Sequence, residues 1–219
     1  MIHPTYIQKE DTQTLHTLLR QHIKGRVLDV GCGDGGLKKI LSSELEYLGM
    51  DARPGKGVDV IGDVHALPFK DKSFDSVICT SVLEHVLDIN KVTSEMYRVL
   101  KPNGKILVTI PFIHHYHKDP EDYWRLSHVG LKKLLSRHGF SRVTTHCNYG
   151  VFKVVEYNFF CVLVNARREK FFANKWYLLP YYIFIGILWL VFRILNILTW
   201  HIQKHDTSMY VGVAAIAVK

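Results

Sequence analysis

From residue 26 to residue 110, short apolar runs rich in β-branched residues alternate with stretches whose apolar positions recur every three or four residues. The runs 26–30, 47–50, 58–61, 74–79 and 105–110 predict strands, and the intervening patterns predict helices over 37–43, 89–100 and 127–138. A leading amphipathic helix is expected over 10–23, where Leu15, Leu18, Leu19 and Ile23 share a face. Strands this short and this apolar, each followed by a helical pattern, predict a parallel sheet covered on both faces. Two further β-like stretches follow at 142–149 and 209–218. Between them the composition shifts, and 171–200 is strongly apolar and aromatic. The domain expectation is therefore an α/β domain over 1–165 and 206–219, interrupted by an apolar, basic-flanked insertion over 166–205.

Candidate chemistry begins at the first strand. Val27–Gly36 reads VLDVGCGDGG, a strand running into glycines and then into a helical pattern. Gly31, Gly33 and Gly35 allow a sharp turn and close approach to a ligand. Asp51 closes the second strand 20 positions after Gly31, where a carboxylate can accept two hydrogen bonds from a ribose diol. The pattern Gly31-x-Gly33-x-x-Gly36 also fits a dinucleotide fingerprint, so NAD is an alternative ligand. Asp29 separates the two. A carboxylate at the mouth of the turn repels a pyrophosphate and suits a ligand with an ammonium and a sulfonium, such as S-adenosylmethionine. Asp63, at the end of the third strand, can lie beside an adenine or cap the following turn.

With these segments in order, the chain resembles the class I methyltransferases, in particular their "methyltransferase type 11" branch. The resemblance runs through LDVGCGDGG (28–36), GMD (49–51), GDVHALPFKDKSFDSVICTSVLEHV (62–86) and MYRVLKPNGKILVTIPF (96–112). It implies a three-layer, seven-stranded Rossmann-like sheet whose last strand inserts antiparallel between the fifth and sixth. It implies S-adenosylmethionine as cofactor, the methionine part held by Asp29 and the turn Gly31, Cys32, Gly33 and Gly35. Asp51 and Ala52 would serve the ribose, Asp63 and Val64 the adenine. Thr80 and Ser81 would face the methyl group, with Glu84 and His85 close behind. The turn Lys101-Pro-Asn-Gly104 reads as structural, ending a helix and starting the fifth strand.

Ligands of open α/β sheets bind at the carboxyl ends of the strands, so the loop after the fifth strand should receive the acceptor. That loop, 111–127, reads PFIHHYHKDPEDYWRLS. Free imidazole titrates near ~6.5, which makes His114, His115 and His117 candidate bases for a hydroxyl acceptor. Asp119 or Glu121 could orient such a base. Tyr123 and Trp124 could stack on a ring or pack the loop, and Arg125 could hold an anion or pair with a nearby acid. HHYH lacks a structural-zinc spacing, so no metal is expected.

Charge and composition sharpen the last stretch. The 219 residues carry a formal net charge of +8, with 47% hydrophobic and 22% charged positions, which fits a globular chain with anionic partners. Trp176–Phe192 is uncharged throughout, with Arg167, Arg168, Lys170 and Lys175 before it and Lys204 after. The basic residues gather around apolar sequence, which points to a membrane surface and away from nucleic acid. A single span would strand the last β-segment across the bilayer, so a monotopic insertion through 171–200 is expected, with a dimer interface or an active-site cover as alternatives. Pro180, Gly186, Arg193 and Asn196 are candidate bends or polar edges. The four cysteines, Cys32, Cys79, Cys147 and Cys161, read as reduced and buried, and the N-terminal residues carry no secretion signal, so a cytoplasmic location is expected. The expected activity is methyl transfer to a small-molecule acceptor, a hydroxyl of a lipid-linked sugar or isoprenoid-type substrate at a membrane surface. A membrane-bound scaffold with the same fold is the alternative from another class.

Overall fold

In the computed structural model, which describes residues 15–41, 43–117, 121–148, 151–168, 176–203 and 210–219, the alternating pattern becomes one mixed sheet. Its strands are β1 (Arg26–Val30), β2 (Glu46–Asp51), β3 (Val60–Ile61), β4 (Phe74–Thr80), β5 (Leu100–Pro111), β6 (Ser141–Asn148) and β7 (Gly212–Val218), in the order β3-β2-β1-β4-β5-β7-β6. β1 lies at the centre, parallel to β2 and β4, and β4 is parallel to β5. β7 enters between β5 and β6 as the resemblance implies. Its antiparallel sense shows in the bonds Asn103 N–H to Lys219 O at one end and Phe112 N–H to Val211 O at the other.

The sequence dictates this arrangement through burial on both sheet faces. Val27, Leu28, Val30, Val77, Ile78, Cys79, Leu107 and Val108 are fully buried, as a parallel sheet between helices requires. The leading helix α1, described over 15–22, sets Leu18, Leu19 and Ile23 against Val27, Ile78, Leu107, Ala214 and Ile216. Helix α2 (Ile89–Val99) is started by Asp88, whose side chain accepts from the amides of Asn90 and Lys91, and buries Ile89, Val92, Met96 and Val99. Ser127 likewise caps α3 (His128–Arg137), which buries Leu131, Leu134 and Leu135.

Three local expectations change. The helix predicted over 37–43 is a 3-10 turn, Gly36–Lys39, with no side-chain cap at Gly35 and no buried residue of its own. A turn this short leaves little helix dipole to offer a ligand. The Lys101–Gly104 turn lies inside β5 as an irregularity: Asn103 has φ 62°, and the register against β4 shifts between Phe74 and Ser76. Reciprocal backbone bonds of Asn103 and Gly104 with Lys219 keep this turn in the ladder. Third, a helix that the sequence pattern did not single out, α4 (Val151–Arg168), follows β6. Its buried Val154, Tyr157 and Cys161 recur at three- and four-residue spacing, the signal that could have found it.

The chain divides into two compact units. The first holds residues 1–111, 117–146 and 213–219, and the second holds 112–116 and 147–212. In the second, α4 packs against α5 (Leu179–Gln203) through Phe152, Phe159 and Phe160, which meet Phe192 and Trp189. α5 runs unbroken through Gly186, Arg193 and Asn196, so none of these is a bend. Pro180 sits in its first turn, where a missing N–H costs no helical bond. Asn196 is buried and the Arg193 guanidinium lies 5.3 Å from the Trp189 ring centre. Leu179–Thr199 has a mean hydropathy of 2.0 and is 11% buried, long and apolar enough to cross a bilayer by length and composition alone.

Candidate functional site

At the carboxyl end of β1 the chain turns on glycines because the geometry admits nothing larger. Gly31, Gly33 and Gly35 all have positive φ. A Cβ on Gly35 would stand 2.6 Å from the Gly57 Cα, and one on Gly31 would stand 2.3 Å from Val82 Cγ2. Gly33 faces open space. The amides of the turn are occupied by the protein itself. Those of Gly31 and Cys32 donate to the Met50 carbonyl (2.8 and 3.0 Å), that of Gly35 to the Cys32 carbonyl, and that of Gly33 to Asp51 Oδ2 at 3.0 Å.

Two carboxylates flank this turn. Asp29 is 1% exposed. It lies below the turn, not at an open mouth. Tyr47 donates its hydroxyl to Asp29 Oδ2 at 2.5 Å, while Asp29 Oδ1 is buried with no hydrogen-bond partner among the described residues. Burial pushes the Asp29 carboxyl up to about 6, against the Tyr47 bond, which lowers it, and with the Asp51 charge, which adds to the rise. Tyr47 is pushed far above its ordinary range by burial and by the Asp29 charge. Asp51 is tied to the turn through Gly33 and to the Arg53 amide at 3.1 Å, and Ala52 beside it is exposed. Cys32, half-buried, donates its thiol to the Gly57 carbonyl at 3.4 Å, and burial pushes it up to about 12. All four cysteines are free, but Cys32 and Cys147 are half-buried, whereas the sequence suggested burial for all. Asp63 is exposed and accepts from both the backbone and the ring of His65 at 2.8 Å, which holds its carboxyl below the ordinary range, with half-buried Val64 beside it. It closes a turn and caps no helix.

After β4, Thr80 is half-exposed and Ser81 is held at φ 52°, a left-handed conformation that a serine adopts only under constraint from its surroundings. The 3-10 turn Leu83–His85 then buries Glu84 completely. Among the described residues neither oxygen of that carboxylate has a hydrogen-bond partner from another residue, and burial pushes it up to about 7. His85 Nδ1 lies 2.5 Å from the Glu121 carbonyl; a carbonyl only accepts, so Nδ1 carries the proton and Nε2 has the lone pair, 3.9 Å from Glu84 Oε1.

The loop after β5 separates the three candidate histidines. His117 belongs to the first unit, its ring 4.9 Å from that of His85 and its Nδ1 3.2 Å from Asp122 Oδ2. His114 and His115 belong to the second unit. There the Tyr157 hydroxyl lies 2.5 Å from His114 Nε2 and 3.3 Å from His115 Nδ1, and Cys161 Sγ lies 3.4 Å from His115 Nδ1. Asp119 lies outside the described residues. Asp122, which the sequence reading did not select, organises this loop. Burial pushes its carboxyl up, but hydrogen bonds from Arg125 and the His117 amide outweigh it and hold it at about 2. Arg125 pairs with Asp122 through both terminal nitrogens. Trp124 donates Nε1–H to the Val86 carbonyl at 2.8 Å and the Tyr123 amide donates to the Glu84 carbonyl at 2.7 Å, so both hold the loop to the turn after β4, while the Tyr123 side chain is half exposed.

With this geometry established, residues 28–108 match the family described as "Methyltransferase domain". A demethylmenaquinone methyltransferase from Renibacterium salmoninarum is 40% identical over 94 residues, covering 38% of this chain and 40% of that protein. The match therefore spans less than half the length of that relative. Among solved structures, a SAM dependent methyltransferase from Archaeoglobus fulgidus superposes with TM-score 0.59 at 17% identity, covering 98% of each chain. A Haemonchus contortus phosphoethanolamine N-methyltransferase 2 in complex with S-adenosyl-L-methionine superposes with TM-score 0.56 at 21% identity, covering 95% of this chain and 52% of that one. At these identities the likeness is one of fold.

Proposed function

We propose that the protein, whose residues 28–108 match the family described as "Methyltransferase domain", binds S-adenosylmethionine at the glycine turn and passes its methyl group to a small-molecule acceptor. The observation that carries this reading is the electrostatics of the turn. Its amides at Gly31, Cys32, Gly33 and Gly35 are committed to protein acceptors, and two carboxylates flank it. A diphosphate would find acceptors where it needs donors. A ligand with an ammonium would give the buried, unpartnered Asp29 Oδ1 the positive donor it lacks. Asp51 would take the ribose hydroxyls, Asp63 and Val64 would lie by the adenine, and Thr80 and Ser81 by the methyl group. When bound, the cofactor supplies an activated methyl on a sulfonium centre.

The acceptor is a hydroxyl of an apolar or lipid-linked molecule. The cofactor would supply the methyl group to that oxygen, and the cluster of Glu84, His85 and His117, when no ion is held there, would take the hydroxyl proton. An apolar acceptor is supported by the name of the demethylmenaquinone methyltransferase relative and by the exposed apolar face of α5. That face, Ile183, Ile187, Leu190, Ile194 and Ile197, rests in one leaflet of a membrane from the cytoplasmic side. β6 and β7, which bracket α4 and α5 in sequence, are neighbours in one sheet, which supports a monotopic insertion over a single crossing. Calorimetry on the full chain in detergent, with S-adenosylmethionine and NAD titrated in turn, tests the cofactor. Binding of NAD alone overturns the reading. Incorporation of labelled methyl into a membrane lipid extract then tests the acceptor class.

A further inference from the structure

Glu84 is 0% exposed, its two oxygens have no hydrogen-bond partner from another residue among the described residues, and it stands beside two imidazoles. From this arrangement we infer that Glu84, His85 and His117 form a binding site for one divalent first-row transition ion such as Zn2+ or Co2+. One ligand atom from each residue lies within 4.8 Å of the others. Bonds of about 2.0–2.2 Å place two ligands of one ion about 3–4 Å apart, so small rotamer adjustments close this triangle on an ion. The 3.9 Å between Glu84 Oε1 and His85 Nε2 is already in that range.

The surroundings of the two imidazoles are those of metal ligands. Nδ1 of His85 is engaged by the Glu121 carbonyl and Nδ1 of His117 by the Asp122 carboxylate, and in His85 this turns Nε2 toward Glu84. Asp122 is itself fixed by Arg125. Carboxylate–histidine pairs of this kind set the tautomer and the ring angle of metal-bound histidines. A buried carboxylate without donors is costly in a protein interior, and a dication held jointly with two imidazoles removes that cost. Two imidazoles and one carboxylate suit a borderline ion, not Ca2+ or Mg2+, which prefer all-oxygen shells. Three protein ligands leave positions open for a small molecule oxygen.

The site was invisible in the His114–His117 run because its members come from two loops, and the spacing of that run led away from it. It is independent of the cofactor reading, since it is measured without S-adenosylmethionine. The experiment is a Co2+ titration of the untagged, chelator-stripped full chain in detergent, followed by visible d–d absorption and by calorimetry, with folding checked by circular dichroism. Wild type takes up about one equivalent with a visible band, and Glu84→Gln and His117→Ala each weaken the affinity by about a hundredfold or more. His138→Ala, a histidine bound to Ser94 and Asn90, leaves it unchanged. A folded wild type that gives no band overturns the site. So does a band that survives both Glu84→Gln and His117→Ala, or one that His138→Ala removes. If Glu84→Gln does not fold, His117→Ala alone decides.

Discussion

The two units solve burial in opposite ways. In the first, apolar side chains are inside: Val27, Leu28, Val30, Ile78 and Leu107 are sealed in the sheet, and charges gather at the strand ends. In the second, Lys153 and Glu156 are paired at 3.4 Å and buried, Asn196 is buried, and Ile183, Phe184, Ile187, Leu190, Ile194 and Leu198 are exposed. The first unit keeps its apolar side chains inside, and the second leaves many outside, the pattern on which the proposed membrane contact rests. Under that proposal the chemistry and the location of this protein are carried by different stretches of chain.

The largest expected effect comes from attacking the apolar exterior. Ile187→Arg together with Ile194→Arg should release the protein from liposomes, each change costing roughly 2–3 kcal/mol of insertion, while S-adenosylmethionine binding is retained. Sedimentation with vesicles reads this, and a doubly charged helix that still pellets would erase the distinction between the units. Next in size, Asp51→Ala should weaken cofactor binding by about 1.5–3 kcal/mol with membrane association untouched. Unchanged affinity in calorimetry removes Asp51 from the ribose.

A smaller effect is set by pH. With Asp29 at about 6 in the free protein, cofactor affinity should be level above neutrality and fall about tenfold between pH 7 and pH 5 as the carboxylate is protonated. Asp29→Asn should bind weakly and flatten that profile. The sign for stability is the reverse. A raised carboxyl means that the folded state holds the proton more tightly, so stability falls as pH rises from about 4 to 6 and is level beyond. Thermal melts across this window check it. Smallest, Trp124→Phe removes the bond to the Val86 carbonyl, should cost about 1 kcal/mol of domain stability in denaturant melts, and should leave the helix pair unaffected.

How far these features could be read in the amino-acid order depends on how local they are. β1 and the glycine turn were legible because a turn of positive φ accepts few residues, and Asp51 because strand length sets its distance from the turn. The β7 position between β5 and β6 came with the resemblance. The helix after the glycine turn failed because its pattern of Leu37, Ile40 and Leu41 is too short to sustain more than one 3-10 turn. α4 was overlooked because its valines and aromatics mask the helical spacing. In the loop after β5, neighbours in sequence are not neighbours in structure. His115 and His117 end in different units, and Asp122, given no role in the sequence reading, joins His117 to Arg125. Side chains brought together from separate loops leave no spacing to find.

The slot that β7 occupies has a further implication for biogenesis. Its strand is synthesised only after α4 and α5, yet it fills the gap between β5 and β6. During translation the sheet therefore waits, with two strand edges unpaired, until the greasy hairpin has emerged. Under the proposed membrane contact, lipid capture of that hairpin on the ribosome would precede closure of the sheet, and delivery to the bilayer would be an early event and not a later recruitment.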